Sequence, residues 1–180
     1  MTWRLTTLAA ALTFASCNCG PGTGGYLIFD GSEISTPTVW SGTVEVQNSF
    51  SITSSLTVEK CTKILMPPGG QITVRDNGTI KTQGTADCPV VIQSVKTAPA
   101  AGDWNRIELY ASSSNDTKFT HTHFMHADGS SYGVVWVENR ATVGFENVTF
   151  EAITDTSIQL EAEARVSTFT GVKFIKTGRE

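Results

Sequence analysis

The sequence has few charged side chains and no surplus of positive ones. Asp, Glu, Lys and Arg make up 17% of its 180 residues, whereas soluble domains average about 25%. The 13 Lys and Arg residues are outnumbered by 17 Asp and Glu residues, which argues against a nucleic-acid partner. No apolar run reaches about 18 residues, so no transmembrane helix is predicted. The length predicts a single domain.

The first sixteen residues have the order of features that an export signal shows. Arg4 supplies a positive charge, residues 5–14 form an apolar stretch, and the small residues Ala15 and Ser16 follow. The apolar stretch is too short for a permanent membrane-spanning helix. We therefore predict a signal peptide over residues 1–16, with a buried N-terminal helix as the alternative.

The segment Ala15-Ser16-Cys17 resembles the lipobox of bacterial lipoproteins, although Phe14 stands where that family usually has Leu. The resemblance implies that a lipid is attached to Cys17 and that residues 17–25 form a flexible tether. The expected location is the bacterial cell envelope, at the outer membrane or the cell surface, with the lipid anchor held in the bilayer. Ordinary cleavage near Ala15, which gives a secreted protein, is the alternative.

Two of the four cysteines lie in the body of the chain. An exported protein meets an oxidising environment, so Cys61 and Cys88 are predicted to form a disulfide. A zinc site is not predicted. Cys17 and Cys19 belong to the tether, and the other two cysteines lack the paired spacing that a tetrahedral site usually uses.

The body of the chain repeats itself in two registers. Residues 56–64 align with residues 72–80 at an offset of 16, and residues 134–150 align with residues 158–174 at an offset of 24. The second alignment superposes Phe145 on Phe169, together with four other apolar pairs. Repeats of this length bury a core only when copies stack on one another.

Within the repeats, apolar and polar residues alternate over three to six positions, as in Val44-Glu45-Val46, and turn residues separate these segments. Period-two alternation predicts strands with one buried face, and no sustained helical period is present. A β-sandwich and a parallel β-helix are both compatible with short strands. The register of about 24 residues favours the β-helix, because sandwiches do not repeat in sequence.

Several motifs resemble the pectate-lyase-like superfamily of secreted parallel β-helix proteins, although Arg106 stands where that family usually has Gly. The motifs are Gly84-Thr85 with residues 88–92, Gly102-Asp103-Trp104 with Ile107, and residues 119–127. The resemblance covers roughly residues 42–175 and implies a right-handed parallel β-helix, which we assign to residues 26–180. The mature length divided by the repeat length predicts about six or seven coils. The superfamily is functionally mixed, so the resemblance implies the fold more than the role.

Enzymes with this fold, by the same resemblance, hold Ca²⁺ with stacked aspartates on an outer sheet face. The aspartates that recur about once per coil are Asp76, Asp103, Asp128 and Asp155. Because their local contexts differ, we interpret them as turn residues that cap the backbone. No pair of carboxylates is singled out and no nucleophile motif is present, so no catalytic residue and no cofactor are predicted.

All three histidines fall within His121-Thr-His123-Phe-Met-His126. On a strand, His121 and His123 would share one face, where neutral imidazoles could bind Zn²⁺ or Cu²⁺. The alternative is a stacked ladder, because the 24-residue offset places His121 under Phe145 and His126 under Phe150. We do not predict a metal site. His121, His123 and His126 are the candidate ligands under the metal-binding alternative.

The predicted role is a non-catalytic envelope or surface module that contacts a polysaccharide or a surface protein. Alternatives are a polysaccharide lyase or glycoside hydrolase, and a metal-binding envelope protein. Trp40, Trp104 and Trp136 are predicted as core or cap residues, with an exposed row that binds sugar as the alternative. The sequence ends at Glu180, directly after a repeat with no polar cap, which predicts either end-to-end self-association or a longer gene product.

Overall fold

The computed structural model describes residues 25–177, which form eighteen short strands and no helix. No segment of this range could cross a bilayer as a helix. The strands are β1 (Tyr26–Phe29), β2 (Thr38–Trp40), β3 (Thr43–Val46), β4 (Phe50–Ile52), β5 (Ser55–Glu59), β6 (Lys63–Met66), β7 (Gln71–Val74), β8 (Thr79–Gln83), β9 (Val90–Ser94), β10 (Arg106–Leu109), β11 (Thr117–Thr120), β12 (Thr122–Met125), β13 (Val135–Val137), β14 (Thr142–Glu146), β15 (Thr149–Ile153), β16 (Ile158–Leu160), β17 (Arg165–Thr170) and β18 (Lys173–Thr177).

The strands belong to three parallel sheets that run the length of a solenoid. Sheet 1 has the order β1-β3-β6-β9-β12-β15-β18, sheet 2 the order β4-β7-β10-β13-β16, and sheet 3 the order β2-β5-β8-β11-β14-β17. The chain passes through the sheets in turn and completes about six coils. The predicted parallel β-helix is therefore confirmed, and the sandwich alternative is wrong.

Alternation along each strand explains why the coils stack. In β3, Val44 and Val46 point inward and are fully buried, whereas Thr43 and Glu45 point outward. Parallel pairing in register places inward residues of successive coils directly above one another. One such column in sheet 1 consists of Leu27, Val44, Ile64, Ile92, Phe124, Phe150 and Phe174.

The 24-residue register is confirmed at the last two coils. Phe145 pairs with Phe169, with ring centroids 5.9 Å apart, and Phe150 pairs with Phe174, with stacked rings 5.6 Å apart. The rings fill the interior from two sheets. In each pair the ring of the earlier coil is buried and the ring of the last coil is about half-exposed, and such aromatic contacts contribute beyond the area that they remove from water.

Two other parts of the predicted register are wrong. Leu56 pairs with Ile80 and not with Ile72, which lies in a different sheet. Val135, rather than Val134, pairs with Ile158. The reason is that coil length varies at the corners. Positions that stack in sheet 1 are 20 residues apart at one coil and 32 at another, so no single period fits the whole chain.

Tight corners keep the coils close together. At the corner after β7, Asp76 and Asn77 both have positive φ, and a Cβ added at Gly78 would lie 2.0 Å from the carbonyl oxygen of Ile52. Only glycine permits this approach of one coil to the next. Cys61 and Cys88 lie at two successive corners between sheets 3 and 1, where a disulfide joins them with their Cα atoms 4.7 Å apart.

Candidate functional site

The outer face of sheet 2 carries a cluster of aromatic and charged side chains. Arg106 lies at the start of β10, Trp136 lies in the middle of β13, and Tyr132 lies in the turn before β13. We call these three residues the Arg106 platform. The register pairs Glu108 of β10 with Trp136 and pairs Trp136 with Gln159 of β16. The outward positions of three adjacent strands therefore meet at the platform.

The platform is a stack of flat groups. The rings of Tyr132 and Trp136 lie 21° from parallel with centroids 4.3 Å apart. The guanidinium carbon of Arg106 lies 4.8 Å from the centroid of Tyr132 and 5.8 Å from that of Trp136. Both distances fall within the range of cation–π attraction. Tyr132 is 42% exposed and Trp136 is half-buried, so the stack is open to solvent along one side.

Arg106 has no salt bridge to an acidic residue within residues 25–177, and its buried Nε atom has no hydrogen-bond partner there. Buried donors are normally satisfied, so an unpaired one needs an explanation. Its outward position on β10 leaves this donor group beside the exposed aromatic rings. The site therefore combines an apolar stack with a guanidinium group that forms no salt bridge within the described residues.

Glu108 lies beneath this face and is only 6% exposed. Its carboxylate accepts a hydrogen bond from the Gln71 side-chain amide, with Oε2 and Nε2 2.5 Å apart. Burial raises the pKa of Glu108, the negative charge of Glu138 raises it further, and Arg106 opposes the increase. A buried carboxyl group with this environment favours its neutral form more than an exposed glutamate does.

A third glutamate orients Trp136. The indole Nε1 donates to Oε1 of Glu161 at 3.2 Å, and the backbone N–H of Asn139 donates to the other carboxylate oxygen at 3.3 Å. Glu138 accepts the backbone N–H of Ala111 at 3.3 Å. These contacts hold two carboxylates around the platform, so its surroundings are acidic although Arg106 is at its centre.

The recurrent aspartates do not form a stacked set of cation ligands. Asp128 accepts the backbone N–H of Ser130 at 2.9 Å and the hydroxyl of Thr154 at 2.8 Å. Burial raises the pKa of Asp128, but these hydrogen bonds outweigh burial and lower it overall. The contact with Ser130 is the turn-capping role expected from the sequence.

Asp103 is buried at the end of the long corner between β9 and β10. It accepts a hydrogen bond from Lys96 Nζ at 2.5 Å and another from the backbone N–H of Ala100 at 3.0 Å. These two contacts lower the pKa of Asp103 to about 2 although burial opposes the change. The ionised carboxylate of Asp103 therefore stabilises the conformation of this corner.

The histidines lie on sheet 1 and its flanking corners, away from the predicted ladder positions. His121 and His126 have φ angles of 43° and 66° and flank β12, so neither stacks under Phe145 or Phe150 as predicted. The residues that pair with those phenylalanines are Phe119 and Phe124. The error arises because this coil is 26 residues long rather than 24.

His123 points outward from β12 between Val91 and Thr149. His121 lies outside the strand and contacts Asn147, with Nε2 and Nδ2 3.3 Å apart. The predicted shared strand face of His121 and His123 is therefore not formed. Over the part of the chain that the structure describes, no three His, Cys, Asp or Glu side chains are grouped to hold a metal ion.

The tryptophans divide between the core and the surface. Trp40 and Trp104 are buried, as predicted, and Trp104 Nε1 donates to the Met125 carbonyl at 2.7 Å. Trp136 instead lies on the outer face. Sequence reasoning missed the platform because Tyr132 and Trp136 lie more than 20 residues after Arg106 and no motif links them. Arg106 at a position where the family usually has Gly was the one signal.

The signal peptide, the lipid attachment at Cys17 and the tether as far as residue 24 lie outside the described residues. The predicted β-helix domain is described from residue 26 to residue 177. No protein-family model, curated protein or solved structure matches the chain.

Proposed function

We propose that the solenoid is a non-catalytic surface module that binds a polysaccharide on the outer face of sheet 2. The observation that carries this proposal is the solvent-open stack of Tyr132 and Trp136 with the guanidinium of Arg106 packed against both rings. Ligand sites typically combine flat apolar surface with a few convergent polar groups. The platform has both, on a rigid sheet rather than on a loop.

The chemistry of the platform suits a sugar ring. An aromatic face packs against the apolar C–H face of a pyranose, and the indole and phenol groups add polar atoms at the ring edge. Arg106 can donate up to five hydrogen bonds to hydroxyl or ring oxygens. Gln71 and Gln159 lie on the neighbouring strands and offer further donors and acceptors on the same face.

The charge around the platform favours a neutral polysaccharide. Glu108, Glu138 and Glu161 surround a single arginine, so a polymer with a carboxylate on every sugar would meet repulsion. Like charges at close range in partly buried sites are costly. We therefore propose a neutral chain as the ligand and place a polyuronate second.

We also propose that the domain is exported and held at the bacterial cell envelope by a lipid on Cys17. The lipobox-like sequence supports this, and the Cys61–Cys88 disulfide fits an oxidising compartment. The motifs at Gly84-Thr85 and Gly102-Asp103-Trp104 support placing the solenoid among right-handed, pectate-lyase-like β-helices. Mass spectrometry of the native N-terminus tests the anchor, because an unmodified residue other than Cys17 there would refute it.

The ligand proposal is tested by pull-down with insoluble neutral and acidic polysaccharides. Tyr132→Ala removes half of the aromatic stack, and we expect it to weaken retention about tenfold or more. Lys81→Ala is the control, because Lys81 is also partly exposed but lies on β8 in sheet 3, away from the platform and from both ends of the solenoid. Equal retention of the two variants, or no retention of the native chain by any neutral polymer, would refute the proposal.

A glycoside hydrolase is the second candidate function, and Glu108 is the observation in its favour. A buried carboxyl with a raised pKa, close to a second carboxylate, is the arrangement that supplies a proton donor in sugar hydrolysis. Release of reducing ends from a neutral polysaccharide, abolished in Glu108→Gln but kept in Glu163→Gln, would establish this activity. Binding without release of reducing ends supports the non-catalytic role.

A further inference from the structure

The exposed apolar surface of the protein is concentrated at the two ends of the solenoid. Among the residues that the structure describes, ten large hydrophobic side chains are exposed, and eight of them lie in the first or last coil. We call the first group the head: Tyr26, Leu27, Ile28 and Val39. We call the second group the tail: Leu160, Phe169, Phe174 and Ile175.

Three of the tail residues, Leu160, Phe169 and Phe174, line an open, mostly apolar cavity of about 530 Å³. Phe169 and Phe174 point into this cavity from sheets 3 and 1, at the positions that are filled by Phe145 and Phe150 one coil earlier. Exposed apolar patches on soluble proteins mark surfaces that meet another molecule. Leu160, Phe169 and Phe174 occupy inward positions over the buried Val137, Phe145 and Phe150, whereas Ile175 lies on the outer face of β18 over Glu151.

Head and tail are complementary in strand direction. Within the described residues, β1 and β18 are the two edge strands of sheet 1, and β2 and β17 are those of sheet 3. Each edge presents unpaired backbone groups. If the head of a second copy follows the tail, β1 can pair with β18 in the same parallel sense in which β18 pairs with β15. No strand has to reverse.

Head and tail are also complementary in charge. The only charged residues between 26 and 40 are the acidic Asp30 and Glu33. Residues 165–177 contain three charged residues, and all are basic: Arg165, Lys173 and Lys176. The basic residues lie on the edge strands β17 and β18, whereas the acidic Asp155, Glu161 and Glu163 precede β17. Contact of these two strands with a head therefore brings opposite charges together, whereas contact between two tails brings two basic strand edges together.

We propose that the tail of one copy binds the head of a second copy, so that sheets 1 and 3 continue from one molecule into the next. The interface is heterologous, because two different surfaces meet. A heterologous contact that does not close into a ring adds further copies and gives linear assemblies. Repeated copies would display the Arg106 platform at regular intervals along a rod, but the proposal does not depend on what the platform binds.

The test uses three variants of the full chain, and each replaces one exposed residue with lysine. Ile28→Lys changes the head and Ile175→Lys changes the tail, and both side chains are exposed, so the fold loses little burial. A lysine on an edge strand opposes pairing with another chain. Tyr110→Lys is the control, since Tyr110 is exposed on the side of the solenoid. Sedimentation velocity over a concentration series gives the mass, and circular dichroism checks folding.

We expect the native chain and Tyr110→Lys to form species larger than one chain as concentration rises. Ile28→Lys and Ile175→Lys should each stay at the mass of one chain, with association weakened about tenfold or more. An equimolar mixture of the two should form dimers and nothing larger, because it contains one native tail and one native head per pair. A monomeric native chain, as would result if residues 1–24 covered the head, overturns the proposal. Dimers of Ile28→Lys alone show tail-to-tail contact and also overturn it.

Discussion

The first and last coils occupy equivalent places at the ends of the same three sheets, but the inward column of sheet 3 is covered only at the first coil. Trp40, the first inward residue of its column in sheet 3, is 2% exposed, whereas Phe169, the last residue of that column, is 55% exposed. The rings of Trp40 and Phe169 differ in whether other side chains pack against their outer side. Trp40 is covered, and the last coil has nothing above Phe169 within the described residues.

The cover at the first coil is a cluster of three aromatic rings. Phe29 packs edge-on against Trp40 with centroids 5.2 Å apart and against Phe50 at 5.0 Å. Trp40 and Phe50 are themselves 5.7 Å apart. Large side chains that point inward and pack against one another thus cover the interior at this end of the solenoid. A full extra coil is not required.

Removing an aromatic ring should destabilise the protein far more at the first coil than at the last. Trp40→Ala should lower the free energy of unfolding by about 3–5 kcal/mol, because it leaves a cavity in a buried cluster. Phe169→Ala at the open coil should cost about 1 kcal/mol, because half of the ring is already in water. Urea unfolding of both variants measures the difference, and equal losses would contradict the account.

The second prediction concerns the disulfide, which fastens corners close to the covered end. Replacing both Cys61 and Cys88 with alanine should cost about 3 kcal/mol, since the bond closes a loop of 27 residues in the unfolded chain. The effect should be the same in a background that carries Phe169→Ala, because the two sites are in separate coils. A thermal or urea unfolding cycle of the four proteins measures the coupling, and a coupling above about 0.5 kcal/mol would contradict independence.

The third and smallest prediction lies between the ends, at the corner that Asp103 fixes. The folded pKa of Asp103 is about 2, below the usual value of 3.8. Its contribution is therefore complete above pH 3.8 and is lost as pH falls through 2. Asp103→Asn should cost about 1 kcal/mol at neutral pH, since Lys96 is half-exposed and solvent screens the pair.

The pH dependence separates this charge effect from simple loss of packing. The difference in unfolding free energy between the native chain and Asp103→Asn should shrink as pH falls from 4 toward 2. Urea midpoints at a series of pH values measure it. A difference that stays constant over this range would show that the ionised carboxylate is not what fixes the corner.

The stacking of like residues could be predicted from the sequence where coils have equal length. Phe145 over Phe169 and Phe150 over Phe174 follow from one 24-residue offset. The positions of His121 and His126 could not be predicted in this way, because two residues added to a corner change what lies above them and leave the strands' alternation unchanged. Period-two patterns determine which face is buried, but they do not encode corner length.

The candidate site was less accessible to sequence reasoning than the fold. The parallel pairing of β10 with β13 brings Glu108 beside Trp136 across 28 positions of sequence, and Tyr132 reaches Arg106 through a turn whose shape no pattern encodes. A predicted core tryptophan thus lies on the surface, because the polar partners that make its outward position stable come from other coils.

Native-state hydrogen exchange, followed by mass spectrometry at low protein concentration, compares the two ends most directly. Backbone amides of β3, β4 and β5 next to the first coil should exchange slowly, whereas those of β17 and β18 should exchange much faster, because little apolar contact covers them. Raising the concentration should slow exchange in β18 and β1 together if copies associate head to tail. Protection of β17 and β18 at low concentration that equals that of β3–β5 would contradict the account of a covered and an open end.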